Sequence, residues 1–253
     1  MQAPCSRAIS APPSSGSRTY SRNYPPDRDA PGRRNTVHLD VLPSFAAKFL
    51  AARLADFHAS HPGVGLSIEA SDHLSADGIN RGFDLAIRYG PGPYPGVHAE
   101  PLVSGGKMVA VCAPHMIEEA TKALEGPIQA NAPLIHTSRP EGADPDTSAS
   151  WPSWFKTHGI PLAGSLDCYP SFSNAHLAID AAIAGQGILL APYFLLADDL
   201  TAGRLALASD KSMTDPSTLW LVRPIERRAK SAVQGFIDWL TLRLSTALGV
   251  SGQ

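Results

Sequence analysis

The chain has 253 residues, of which 43% are hydrophobic and 17% are charged, and its formal net charge is −2 at pH 7. This length and apolar content suffice for one large or two modest globular domains. No run of 18 apolar residues occurs, so a membrane-spanning helix is not predicted. Three scattered cysteines, Cys5, Cys112 and Cys168, argue against a disulfide framework and favour a reducing cytoplasm.

The N-terminal segment 1–36 differs in composition from the rest of the chain. It holds six prolines, six serines and six arginines against two aspartates, with few aliphatic side chains. Such a segment buries too little apolar area to offset the entropy of ordering, so we predict a disordered tail. It also lacks the hydrophobic stretch of a secretory signal. The remaining residues carry 15 Lys and Arg against 21 Asp and Glu, which makes a poor phosphate-binding surface.

From Val37 onward, strand and helix patterns alternate, which is typical of α/β architecture. The predicted strands, in chain order, are 37–41, 66–70, 83–90, 107–113, 134–137, 188–191 and 219–222. The predicted helices are 44–57, 74–80, one beginning near 114, one opening at 151, one ending at 185, and 233–244. A polar loop is expected over 139–150, and the aromatic residues that follow it are expected to be core.

The stretch AAIAGQGILLAP, residues 181–192, contains a Gly-x-Gly pair that needs an interpretation. A dinucleotide-binding loop requires a strand, then glycines, then a helix. Here the helix pattern comes first and the strand pattern follows. We therefore predict that Gly185 ends the helix in the left-handed conformation and that Gly187 turns the chain into the strand.

The tripeptide Pro-Ser-Phe occurs twice, at 43–45 and 170–172, each time between a strand and a helix. Ser44 is the expected N-cap of the first helix, and Ser173 or Asn174 that of the second. Helix N-termini favour anions, so the two could face each other across a ligand cleft. The alternative is ordinary helix capping with no ligand, and sequence spacing does not separate the two.

Patterns typical of enzymes and metal sites are weak. The sequence has no G-x-S-x-G motif for a serine nucleophile. The carboxylate pairs Glu118-Glu119 and Asp198-Asp199 are adjacent, so we expect them to be solvated charges on different helix faces. Two half-sites with metal-ligand spacing, at 58–61 and 112–115, have no second half. We predict no enzymatic activity, no metal and no cofactor.

Several separated phrases together resemble one protein family. They are VHLDVLPSFAAKFLAARLADFHASHPGVGLSIEAS, FDLAIRYGPGPYPGVHAEPL, FSNAHLAIDAAIAGQGILLAPYFLLADDLTAGRL and LWLVRPIERRAKSAVQGFIDWL. In this order they resemble the effector-binding domain of LysR-type transcriptional regulators, and the branch of the glycine-cleavage and β-lactamase activators in particular. The resemblance covers about Val37 to Leu248.

The resemblance implies an α/β fold of the periplasmic-binding-protein-like type 2, with two α/β subdomains joined by two crossover strands. Subdomain I would comprise 37–102 and 218–248, subdomain II 103–217, and 249–253 would be a C-terminal tail. A small effector, anionic by the helix-terminus argument, would bind between the subdomains. The expected crossovers are Arg88-Tyr89 and a point near Arg223-Pro224. The expected ligand-binding residues are Ser44, Phe45, Ser71, Arg88, Tyr89, Thr137, Phe172, Ser173, Asn174 and Arg223.

The resemblance also implies partners. Relatives pair these domains side by side, so a homodimer is expected, in the cytoplasm and without a membrane. Members of the family bind DNA through an N-terminal winged helix-turn-helix, and residues 1–36 show no recognition-helix pattern. We therefore expect no direct DNA contact from this chain. Two alternatives stay open: a solute-binding protein of transport with the same fold, and a regulator that acts through mixed dimers with intact relatives.

Overall fold

The computed structural model describes residues 35–71, 82–92, 94–128, 132–137, 149–162, 170–225 and 231–249. The tail predicted over 1–36 falls almost wholly outside these ranges, as do the predicted helix 74–80 and most of the loop 139–150.

The described residues form ten strands. Their bounds are β1 (Thr36–Val41), β2 (Gly65–Ala70), β3 (Leu85–Gly90), β4 (His98–Val103), β5 (Lys107–Cys112), β6 (Leu134–Thr137), β7 (Ser171–Phe172), β8 (Ile188–Pro192), β9 (Ala206–Thr214) and β10 (Thr218–Arg223). All seven strands predicted from the sequence are present, with ends within two residues of the expected ones.

The first helical segment, α1, covers 43–60 and changes its winding along its length. It begins as an α-turn (Pro43–Phe45), passes through a π-helical stretch (Ala46–Leu50) and a 3₁₀ turn (Ala51–Arg53), and finishes as an α-helix (Leu54–Ser60). The other helices are α2 (Ile117–Glu125, after a 3₁₀ turn at Pro114–Met116), α3 (Trp151–His158), α4 (Ala175–Ile183), α5 (Tyr193–Thr201) and α6 (Ser231–Ala247). None of the helices in the described ranges is long and apolar enough to cross a membrane.

The strands form two five-stranded sheets, with orders β2-β1-β3-β10-β4 and β7-β6-β8-β5-β9. We call the first sheet with α1 and α6 the first lobe, and the second sheet with α2–α5 the second lobe. The chain passes between the sheets at 103–107 and at 214–218. The expected crossovers at Arg88-Tyr89 and Arg223-Pro224 are therefore wrong, because β3, β4 and β10 all belong to the first sheet. The predicted two-lobed α/β class is confirmed.

The largest hydrophobic core is continuous across both lobes. It joins Leu39 and Ile87 of the first sheet to Leu189 of the second, and it includes Phe45 of α1 and Phe194 of α5. A second core lies entirely in the second lobe, where Trp151, Trp154 and Phe155 of α3 are buried as expected. The lobes therefore share apolar surface that neither buries alone.

The segment after α4 confirms the interpretation of the Gly-x-Gly pair. Gly185 has φ +75°, its N–H donates to the Ala182 carbonyl, and the Gln186 N–H donates to the Ala181 carbonyl, each at 3.0 Å. This is the double hydrogen bond of a Schellman helix end. Gly187 has φ +154°, and a Cβ there would lie 2.3 Å from the Pro133 carbonyl oxygen. Both glycines thus serve the turn from α4 into β8.

Asp56 fixes the position of α1 against α6. Its carboxylate accepts hydrogen bonds from Trp239 Nε1 at 2.6 Å and from Arg243 Nε and a terminal guanidinium nitrogen at 2.7 Å. The hydrogen bond from Trp239, followed by that from Arg243, lowers the pKa of Asp56 below its usual 3.8. A carboxyl whose folded pKa is depressed stabilises the fold above its unfolded pKa, and this contribution is lost as the pH falls through the folded value.

We predict that Asp56→Asn lowers Tm at pH 7 by a few degrees, because the neutral amide accepts these hydrogen bonds more weakly. The difference from the wild type should shrink as the pH falls below about 3.8, because the unfolded carboxyl takes up a proton there and the folded carboxyl does so at lower pH. Differential scanning fluorimetry over a pH series measures both effects. Asp238→Asn is the matched control, because that exposed carboxylate accepts from Gln234 of its own helix and, among the described residues, has no hydrogen bond or ion pair with α1. A pH-independent difference would contradict the assignment.

Candidate functional site

The starts of α1 and α4 are in direct contact. The backbone N–H of His176, the second residue of α4, donates to Ser44 Oγ at 3.1 Å. Ser44 is only 4% exposed although it lies 132 residues away in sequence. The two helix starts predicted to face each other are thus in contact across the lobes, and a hydrogen bond joins them.

Ser44 does not cap its own helix, so the expected N-cap is wrong. Leu42 occupies the N-cap position, Pro43 is the first helical residue and Ser44 the second. Proline at the first position has the required φ and no N–H to satisfy, which moves the helix start forward. The Ser44 hydroxyl is consequently available to the other lobe, where it accepts one of the N–H groups that α4 cannot satisfy internally.

The second lobe supplies a compact group of the predicted residues. Thr137 at the end of β6 pairs in parallel with Phe172 of β7. Asn174 occupies the N-cap position of α4, as one of the two expected alternatives, and its carbonyl accepts from the Leu177 N–H at 3.1 Å. Ser173, immediately before it, is exposed. A strand end and a helix start therefore meet beside Ser44.

In the first lobe, Ser71 and Arg88 converge on one carboxylate. Ser71 Oγ donates to one oxygen of Asp40, and Arg88 forms an ion pair with the other. The Arg88 guanidinium also donates to the Asp40 carbonyl at 3.0 Å and to the Ile87 carbonyl at 3.2 Å. Arg88 is 2% exposed, so its charge is buried and neutralised by Asp40. This arrangement makes Arg88 a residue that positions Asp40 and Ser71.

We predict that Asp40→Asn destabilises the fold by about 3–5 kcal/mol, because it leaves the buried Arg88 charge without its counterion. Urea unfolding followed by tryptophan fluorescence measures the change. The control is Glu118→Gln, which removes an exposed i,i+4 pair with Lys122 and should cost less than about 0.5 kcal/mol. Equal effects of the two substitutions would contradict a buried, charge-compensating role for Asp40.

Tyr89 lies where the two connections between the lobes run side by side. Its hydroxyl donates to Asp215 Oδ2 at 2.6 Å, and the Asp215 N–H donates to the Gly106 carbonyl at 2.8 Å. The Tyr89 ring packs edge-on against Phe194 of the second lobe at 5.6 Å between centroids. Burial, and then the negative charge of Asp215, raise the pKa of Tyr89 well above its usual value. Tyr89 is thus a neutral donor that ties β3 to the inter-lobe connections.

Two predicted site residues lie elsewhere. Arg223 is opposite His98 in the β10–β4 pairing and donates to Glu100 at 3.1 Å, whereas the end of β10 that adjoins the lobe connections is Thr218. The structure therefore does not bring Arg223 together with the other predicted residues. Phe45 is fully buried and stacks on Phe49 at 4.9 Å between centroids, so its ring belongs to the core.

Sequence reasoning missed a set of ion pairs beside the helix junction. The expectation of solvated charges is wrong for Asp199, which is 3% exposed and pairs with Arg204. The Asp198 side chain is 39% exposed, but it pairs with Arg53 of α1. No local pattern relates positions 145 residues apart, so this pairing becomes visible only when the lobes are assembled. No group of three His, Cys, Asp or Glu side chains suited to a metal ion occurs within the described ranges.

The comparisons with known proteins agree with this architecture. The sequence profile of the LysR substrate binding domain matches residues 30–245, and the chain belongs to this family. The transcriptional activator AmpR of Rhodobacter capsulatus is 29% identical over 212 residues, which cover 83% of this chain and 68% of the relative. The glycine cleavage system transcriptional activator of Escherichia coli K12 is 26% identical over 208 residues, covering 82% and 64%. The expected family and branch are confirmed.

A solved structure shows the same fold. The effector domain of AmpR from Pseudomonas aeruginosa superposes with a TM-score of 0.66 at 25% identity, covering 85% of this chain and 98% of that one. The chain thus spans about two thirds of the length of the full curated relatives and nearly all of the solved effector domain. The relatives named are transcriptional regulators and the family is not enzymatic, as the sequence led us to expect.

Proposed function

We propose that this chain is an effector-sensing domain that binds a small anionic metabolite between its lobes and thereby regulates transcription. The observation that carries the proposal is the hydrogen bond from the His176 N–H to Ser44 Oγ. It brings two helix starts from different lobes to one point, and helix N-termini offer N–H donors and a positive electrostatic potential. In this proposal the first subdomain comprises 37–102 with 218–248, the second comprises 103–217, and the ligand lies between them.

The charges around the junction support an anionic effector. The negative charge of Asp40 is compensated by Arg88. The Asp215 carboxylate accepts hydrogen bonds from the Tyr89 hydroxyl and from the Ser217 N–H. Compensated carboxylates repel an incoming anion less than free ones do. The hydroxyls of Ser44, Thr137 and Ser173 and the amide of Asn174 are the proposed ligand donors, with Phe172 lining the site. Ser71 and Arg88 position Asp40, and Tyr89 positions Asp215, beside this site.

In this proposal the effector works by population shift. A ligand that contacts both lobes binds more tightly when they are closed, and only this difference in affinity can change the conformational equilibrium. The altered lobe geometry would then be read in a homodimer formed side by side through the effector domain. DNA contact would come from elements other than residues 37–248, whose excess of acidic side chains disfavours binding to phosphates. We place this activity in the cytoplasm.

We predict that a thermal-shift screen of small carboxylic acids and amino acids yields a stabilising ligand. Ser44→Ala and Ser173→Ala should each weaken its binding, measured by titration calorimetry, by about 10- to 100-fold, the range for a lost hydrogen bond to a charged group.

The control for this experiment is Ser245→Ala on α6, whose hydroxyl donates to the Thr241 carbonyl of the same helix; this variant should leave binding unchanged. If ligands are found whose affinity is the same in all three serine variants, the proposed site is wrong. If neutral compounds bind and acids do not, the anionic class is wrong.

A further inference from the structure

Two cationic side chains of α1 reach across to carboxylates of the second lobe. Arg53 makes a bidentate pair with Asp198, with both N–O distances 2.7 Å. Its guanidinium also lies over the Phe49 ring, 4.1 Å from the centroid. A planar guanidinium held on one face by an aromatic ring loses less freedom on forming a two-pronged ion pair than a free side chain does. The geometry is therefore organised within α1 before the partner arrives.

Lys48, one turn earlier, makes a second connection of the same kind. Its ammonium lies 2.6 Å from Asp180 Oδ1 of α4 and 3.6 Å from Asp199 Oδ2 of α5. The Asp199 side chain is 4% exposed, and its other oxygen is bound by Arg204 of the same lobe. Asp199 is thus held in place by its own lobe and presents a fixed negative charge to α1.

These contacts involve none of the predicted ligand residues. The lobes are connected covalently at 103–107 and 214–218, and Arg53 and Lys48 are on neither connection. We propose that Lys48 and Arg53, with Asp180, Asp198 and Asp199, form an electrostatic latch that shifts the lobes towards the closed arrangement in the absence of effector. The part of this inference that concerns effector affinity rests on the proposed function, whereas the latch itself does not.

The latch has a consequence for sensing. A partly exposed ion pair shifts a conformational equilibrium by up to about fivefold, so two pairs together change the ratio of closed to open molecules by roughly an order of magnitude. A preclosed population raises the apparent affinity for a ligand that prefers the closed form. The number of intact pairs would then set the effector concentration to which the domain responds.

The His176 amide is a built-in reporter for this equilibrium. N–H groups in the first turn of a helix have no acceptor within that helix. The N–H of His176 is protected by Ser44 Oγ of the other lobe, so opening of the lobes exposes it while α4 remains folded. Amides of the β5–β8 pairing, which lie within the second lobe, report on global unfolding and serve as the internal reference.

The test is hydrogen exchange followed by NMR on the ligand-free chain. Arg53→Asp and Asp198→Arg should each raise the exchange rate of the His176 amide by up to about fivefold relative to the β5–β8 amides. The double variant Arg53→Asp/Asp198→Arg restores opposite charges and should bring the rate back towards the wild type. Lys122→Asp is the matched control, because it makes the same charge change in an exposed pair within α2 and should have no effect.

A wild-type rate of His176 exchange in Arg53→Asp overturns the latch, as does a double variant that exchanges as fast as the single ones. Should a variant fail to fold, salt supplies the second measurement on the wild-type chain. Raising the ionic strength from about 0.1 M to 1 M shortens the screening length from roughly 10 Å to 3 Å and should speed His176 exchange selectively. No selective change would also overturn the proposal.

These results separate the latch from the proposed function. Exchange is measured without ligand, so a failed search for acids leaves the latch standing if the charge swap behaves as expected. Conversely, tight binding of an acid that depends on Ser44 would remain valid if Arg53→Asp had no effect on His176.

Discussion

The packing of α1 between the two lobes is the contact on which the rest of the structure depends. α1 follows β1 of the first sheet, but its ring at Phe45 lies 6.3 Å from that of Phe194 in the second lobe. Phe45 and Phe49 are almost completely buried in the core that both sheets share. Burial of apolar area contributes roughly 25 cal/mol per Å², so two buried phenylalanines hold the lobes together more strongly than any single polar contact.

Polar groups at the lobe junction then refine a position that hydrophobic packing has already set. The ion pair of Asp40 with Arg88 and the hydrogen bond of Tyr89 to Asp215 satisfy charges that would otherwise be expensive to bury. These groups already have partners within the fold. By contrast, the Ser173 hydroxyl is exposed beside the start of α4, and the proposed anion site uses it as a donor.

Much of the fold could be predicted from the sequence because its strands are regular. Alternating or continuous apolar residues located β1, β6 and β8, and the helical spacing from Val233 to Leu244 located α6. Four elements were missed for physical reasons. β7 has only two residues, Ser171–Phe172, too few to show a strand pattern. β4 is an edge strand with exposed residues and a proline at 101, β9 is an edge strand with a half-polar sequence, and α5 starts directly after Pro192, which looks like a strand stop.

The candidate site was predictable only in part. The repeated Pro-Ser-Phe motif indicated two helix starts, and the structure places Ser44 of the first against the start of the second. The sequence could not show that Ser44 would serve the helix of the other lobe, since that depends on a contact over 132 residues. The same limit explains the misinterpretation of Asp199: its contact with Lys48 joins different lobes, and local spacing does not connect the two residues.

The central claim is that α1 joins the two lobes into one cooperative unit whose junction forms the site. Differential scanning calorimetry of the ligand-free chain tests it most directly. A core shared by both lobes predicts a single endotherm whose calorimetric and van't Hoff enthalpies agree. Two separable transitions, or a calorimetric enthalpy well above the van't Hoff value, would show that the lobes unfold independently and would contradict the account.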